Sequence, residues 1–224
     1  MQAGYTALAD EFRNYSDLLK TRPGDPEILK KLCGISSRMG NHAMAEKLSS
    51  FLVKNFPGNA AYHYSFGQTL YNNKKWTKAL DQFKTVDKLQ PLNYIILTDL
   101  AKVYEKLGDF EKALTSIIKV EDLAQQTIPS GIMIARLFDK LNFREKAYRK
   151  LIELNTAFPD NFKVKNALGQ FYMKTRELTN AIDCFTEAIY VSPDHAYSYW
   201  NSSIANLITG NFKDGWKWYE KRRE

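Results

Sequence analysis

The chain has 224 residues, 44% of them hydrophobic and 13% aromatic, an ordinary globular composition with enough large apolar side chains for a core. No run approaches eighteen apolar residues, and Met1-Gln2-Ala3-Gly4-Tyr5 lacks the basic and apolar regions of a secretory signal, so no membrane partner is expected and the cytoplasm is the default compartment. The net charge of +7 favours an acidic partner, but no block of five like charges occurs, which reads as a solvated helical surface and argues against nucleic acid.

The first predicted element is a helix within 1–25. Tyr5, Leu8, Phe12, Tyr15 and Leu19 recur there at spacings of three and four, a narrow stripe suited to capping the open end of a stack. The rest of the chain is periodic. Pro23, Pro57, Pro91, Pro159 and Pro193 lie on one lattice of spacing 34, whose empty point holds Gln125. Proline is tolerated beside a helix and not inside one, so the lattice marks junctions between units. A second lattice, Ala45, Ala79, Ala113, Ala147, Ala181 and Gly215, calls for close helix approach. A third, Gly40, Lys74, Gly108, Asn142, Arg176 and Gly210, is rich in residues that accept a left-handed backbone and so ends the first helix of each unit.

Between the markers apolar residues keep helical spacing. In 94–127, Leu97, Leu100, Ala101 and Tyr104 line one face before the turn, and Phe110, Ala113, Leu114, Ile117 and Val120 line the next. The units are therefore helix pairs at 26–59, 60–93, 94–127, 128–161, 162–195 and 196–224. Their helices are expected at 27–39 with 43–55, 61–73 with 77–89, 95–107 with 111–123, 129–141 with 145–157, 163–175 with 179–191, and 197–209 with 212–223. Cys33 and Cys184 fall at interior positions, as small hydrophobes with no disulfide between them.

These residues resemble the tetratricopeptide repeat, whose pattern runs aromatic, Leu-Gly, Tyr, Ala, Phe four residues on, then Pro. Phe66-Gly67, Ala79, Phe83 and Pro91 reproduce it in one unit, and Leu168-Gly169, Tyr172, Ala181, Phe185 and Pro193 in another. Residues 94–127 match through Leu100-Ala101, Tyr104, Ala113 and Ile117, and 128–161 through Ala135, Phe138, Ala147, Leu151 and Pro159. The first unit keeps Leu32, Ala45 and Pro57 but has Ser36 and Ser49 where bulky residues are usual, so looser packing is expected there. The resemblance covers 26–224. It implies an all-α fold, a right-handed superhelical α-solenoid of about six hairpins plus the N-terminal cap, with the first helices lining a concave groove. It also implies a scaffold that holds a peptide or partner protein; that step is analogy, because a fold does not fix a function.

In such a stack, residues one period apart form ladders along the groove. One reads Gly34, Gln68, Lys102, Arg136, Gln170, Ile204, and its neighbour Arg38, Asn72, Lys106, Lys140, Lys174, Ile208. Lys102, Arg136, Lys140 and Lys174 make a basic middle that would meet carboxylates, and Asn166 and Gln170 would bond an extended backbone; the other reading is that the lysines only solvate the helices. Tyr64 and Tyr71 share the groove face and either grip a partner or pack within the repeat. Neither the lysine–asparagine clamp for acidic C-termini nor the asparagine ladder found in some grooves of this family is present: Gly34 follows Lys30, and only Asn201 fits the ladder.

The last unit departs from the rest. Tyr197, Trp200, Ile204 and Leu207 with Ile208 turn an apolar face toward the groove, while Ser202, Ser203 and Asn206 take the phase buried elsewhere. Such a patch is covered by a partner, by a second copy of the chain, or by further sequence. Gly210 through Arg222 is similar to the closing repeat of bacterial arrays joined to transferases; the alternative is that Trp216, Trp218 and Tyr219 simply close the stack. His42, His63 and His195 fall in different units and phases, with His63 at a packing position, so no metal or acid–base cluster forms. No catalytic residue, metal or cofactor is expected. The sequence therefore predicts a protein-interaction scaffold; the alternative is a substrate-recruiting arm of a larger enzyme such as a glycosyltransferase.

Overall fold

The computed structural model describes residues 2–124 and 127–222, with side chains over 6–123 and 127–222; the Tyr5 side chain and Gln125 lie outside the described residues. Among these residues the chain is all-α, with thirteen helices and no strand. A long α1 (Gln2–Thr21) precedes the hairpins α2 (Pro26–Arg38) with α3 (His42–Asn55), α4 (Ala60–Asn72) with α5 (Trp76–Leu89), and α6 (Tyr94–Leu107) with α7 (Phe110–Ala124). Then follow α8 (Ile128–Lys140) with α9 (Arg144–Ala157), α10 (Phe162–Thr175) with α11 (Leu178–Val191), and α12 (Ala196–Ile208) with α13 (Phe212–Lys221). Every hairpin helix lies within two residues of its expected span. Two compact units, Met1–Lys119 and Val120–Glu224, divide the chain.

Local chemistry fixes where each first helix starts and stops. Positions 25, 59, 93, 127, 161 and 195 are all N-caps, and at the first five a side-chain oxygen accepts an amide of the first turn, as Asn59 does from Ala61 and Tyr62 at 3.0 and 3.3 Å. Such a cap contributes about 1 kcal/mol. At the other end, Gly40, Lys74, Gly108, Asn142, Arg176 and Gly210 all have positive φ, between 59° and 81°. The next amide then reaches back to a carbonyl of the last turn, as Lys75 does to Leu70 at 2.9 Å and Glu177 to Tyr172 at 2.9 Å. This closes the helix and reverses the chain.

Within a hairpin the two helices cross on one pair of residues of shared volume. Gly67 lies under Phe83 and Gly169 under Phe185, so close that a Cβ at either glycine would stand 2.5 Å from the ring. At the same phases Ala101 accompanies Ile117 and Ala135 accompanies Leu151, all buried. In the first hairpin the pair is Cys33 and Ser49. The thiol and hydroxyl lie 2.8 Å apart and the Ser49 hydroxyl donates to the Ala45 carbonyl at 2.7 Å, so Ser49 is accommodated, whereas the buried Ser36 hydroxyl has no partner. The alanine lattice is fully buried from Ala45 to Ala181. Both cysteines are free thiols, and burial pushes that of Cys184 up to about 11. His63 packs inside, its ring nitrogens bonded to the Gln82 amide at 2.8 Å and the Pro57 carbonyl at 3.0 Å.

In the first unit the main core runs from Ala60 through Phe83 to Val103, and a second cluster of Leu29, Leu52 and Tyr62 receives Leu19 of α1. In the second unit Ala135, Leu151, Leu168 and Phe171 form one cluster and Ala181, Phe185 and Ala205 another.

Candidate partner-binding recesses

Each unit holds a recess at the same place in the repeat. In the first unit it lies between α4 and α6, about 240 Å³ in volume, with Phe83 as floor and Gln68, Tyr71, Asn72, Asp99 and Lys102 around it. In the second it lies between α8 and α10, about 110 Å³, with Leu151 and Phe171 at its base and Arg136, Asp139, Gln170 and Lys174 among its polar lining. Gln68 and Arg136, Phe83 and Leu151, and Lys102 and Gln170 are each two periods apart. The hairpin crossing that supplies the floor therefore recurs, and the opening above it recurs too.

The polar walls are pre-wired. Asp99 accepts from the Tyr64 hydroxyl at 3.0 Å and from Lys102 at 2.8 Å, and the Gln68 amide donates to the Tyr64 oxygen. Burial, with the Asp99 charge beside it, pushes the Tyr64 hydroxyl up to about 12, so it remains a donor across the physiological range. In the second unit Lys174 donates to Asp139, and Gln170 donates to the Tyr197 hydroxyl at 3.0 Å. Each recess thus presents a lysine already joined to a carboxylate, above an apolar floor.

The twelve expected residues are placed unevenly. Gln68, Lys102, Arg136, Lys140 and Lys174 are exposed, and Tyr64, Tyr71, Gln170 and Ile204 are half-buried. Tyr64 and Tyr71 also pack against the core, so the packing and gripping readings coexist in one side chain. Asn166 is not on an open surface. It is 5% exposed, its amide donating to the Phe162 carbonyl at 2.9 Å and to Ser198 at 2.6 Å, with Asn201 approaching its oxygen at 3.5 Å. The Ser198 hydroxyl lies 2.9 Å from His195 Nδ1, and burial, helped by Lys163, holds His195 below its usual value. Trp200 is partly exposed and Tyr197 and Ile208 are open, while Ser198, Ser202, Ser203 and Asn206 are buried on the opposite side of α12.

Sequence reasoning missed Asp99 and Asp139. Asp99 precedes Lys102 by three residues on one helix, a legible pairing; Asp139 and Lys174 are 35 apart, one more than the period, and so sit on no single ladder. Among the described residues, no group of three or more His, Cys, Asp or Glu is placed to hold a metal ion, and no helix is long and apolar enough to cross a membrane.

Tetratricopeptide-repeat family profiles match residues 66–125 and 162–195. The chain is similar to tetratricopeptide repeat protein 6 of Homo sapiens, 28% identical over 156 residues that cover 67% of this chain and 29% of that protein. It is also similar to the anaphase-promoting complex subunit CDC16 of Saccharomyces cerevisiae, 26% identical over 163 residues covering 68% of this chain and 18% of that protein. The chain thus spans less than a third of either relative. A crystal structure of a tetratricopeptide repeat protein from Parabacteroides merdae shares the fold with a TM-score of 0.79 at 14% identity, covering 98% of this chain and 92% of that one. Tetratricopeptide repeats are thus shown at 66–125 and 162–195, the second coinciding with the α10–α11 hairpin, and the chain as a whole shares the all-α helical-repeat fold of that structure.

Proposed function

We propose that the chain is a protein-interaction scaffold whose first helices seat partner polypeptide segments in the recess of each unit. The observation that carries this reading is the recurrence of one recess, two periods apart, with an apolar floor and a wired polar rim in both units. An extended chain offers an apolar side chain and a backbone amide in regular alternation, which is what such a recess can take. The similarity to a subunit of a multiprotein complex supports the reading at the level of scaffold and partner. Because Lys102 and Lys174 are each joined to a carboxylate, the recesses favour hydrogen bonding over net charge, so the partner segment seated there need not be acidic.

Photo-cross-linking in the native cell tests this. A benzophenone amino acid at Gln68 or Gln170 should give discrete adducts to another protein, and the same probe at Lys84, on the exposed face of α5, should not. Equal labelling from all three positions would remove the recesses from the account.

A further inference from the structure

The last second helix, α13, differs from its predecessors on the face that the inner hairpins bury. At the phase of Trp216, Leu80 lies in the core beside Ile96 and Leu100, Tyr148 packs its ring 5.7 Å from Phe171 and 6.1 Å from Tyr172, and Ile182 packs against the cluster holding Ala205. In each case the cover is the first helix of the next hairpin. Trp216 is 55% exposed and Phe212 63%. Tyr219 lies beside them, its ring 5.5 Å from Trp216 and 5.8 Å from Trp200 of α12, and the Arg222 guanidinium stacks over the Tyr219 and Trp200 rings at 3.5 and 4.9 Å, adding a cation at that edge of the strip.

A basic stripe runs beside the aromatic one. Lys213, Lys217 and Lys221 are spaced by four, all exposed, and none is paired with a carboxylate among the described residues. The same phases of the earlier second helices read Ala43, Lys47, Phe51; Thr77, Asp81, Thr85; Glu111, Thr115, Lys119; Glu145, Arg149, Glu153; and Thr179, Asp183, Glu187, so none carries more than one cation. Two carboxylates of α13 lie beside the stripe, Glu220 at the boundary between the two strips and Asp214 on the far edge, where it accepts from the Asn211 amide at 2.9 Å. In the inner hairpins this face meets an amphipathic helix, and the lysine stripe beside it complements carboxylates.

We propose that the Phe212–Trp216–Tyr219 face of α13, with Trp200, docks an amphipathic helix of a partner protein whose apolar stripe is flanked by carboxylates. This site is separate from the recesses and stands or falls without them. A second copy of this chain is the poorer occupant, since a net charge of +7 repels at a basic surface.

The test uses the full chain and a labelled synthetic helical peptide with leucines at i, i+4 and i+7 and glutamates beside them, followed by fluorescence anisotropy. Binding is expected, weakening at least about tenfold in the Trp216→Ala protein, in the Lys213→Glu, Lys217→Glu, Lys221→Glu triple variant, and when the peptide glutamates are replaced by lysine. Circular dichroism confirms that the variants keep their helices; raising salt on the unaltered protein gives a readout independent of any substitution and should also weaken binding. No binding of the acidic peptide, or equal binding of the lysine peptide or by the triple variant, overturns the proposal. So does a dimer in sedimentation equilibrium that Trp216→Ala dissolves, or tighter binding of single-stranded oligo(dT) that the same variants abolish.

Discussion

At the scale of single residues, volume is shared across the crossings of the four hairpins from α4 to α11 rather than fixed at either position. Gly67 with Phe83 and Ala135 with Leu151 are two divisions of one space. Gly67→Ala alone drives a methyl into the Phe83 ring and should cost about 1–3 kcal/mol, and Phe83→Leu alone leaves a void costing on the order of 1 kcal/mol or more. Together they recreate the pairing native to 135 and 151, so the double variant should be more stable than the two losses summed by at least about 1 kcal/mol. Urea unfolding of the four proteins measures this, and simple additivity would refute the shared-volume account. The His195 network makes a second residue-level prediction. Its pKa is lowered from 6.5, so the folded state prefers the neutral ring; its contribution is complete above the unfolded value and is lost as pH falls through 6.5 toward the folded value. The melting temperature of the native protein, compared with His195→Gln, should therefore decline more steeply from pH 7.5 to 5; parallel curves would show that the ring does not titrate on unfolding.

At the scale of elements, hairpin geometry rests on a left-handed residue that glycine supplies in three of six cases and lysine, asparagine and arginine in the others. For Arg176, at φ 68°, the cost of that conformation exceeds the chain entropy that glycine would lose. Arg176→Gly should thus stabilise by about 0.5–1 kcal/mol, read as a higher urea midpoint at unchanged slope. These boundaries were legible in the sequence, because the proline, alanine and left-handed lattices each mark a local backbone need that recurs every 34 residues. Asp25, Asn59, Asn93, Thr127 and Asn161, at steps of 34, mark the starts of the first helices in the same way. Asp139 with Lys174 was not legible, since that contact joins successive first helices with an offset of one, which depends on how hairpins pack. Asn166 was misplaced for a related reason: Ser198, small and polar on the next first helix, draws it inward.

At the scale of the whole molecule, function follows from repetition. Recesses recur because crossings recur, and α13 stands apart because no further hairpin covers it among the described residues. The transferable unit must then be a period counted from cap to cap, not an arbitrary stretch of helix. Deleting residues 60–93 removes one whole period and rejoins Asn59 to Tyr94, so that an N-cap still meets a first helix. Circular dichroism and urea unfolding should show the same helicity per residue and a cooperative transition, whereas deleting half a period, 60–76, should abolish both. Loss of helicity or cooperativity on removing 60–93, to the same degree as on removing 60–76, would contradict the repeat-scaffold account.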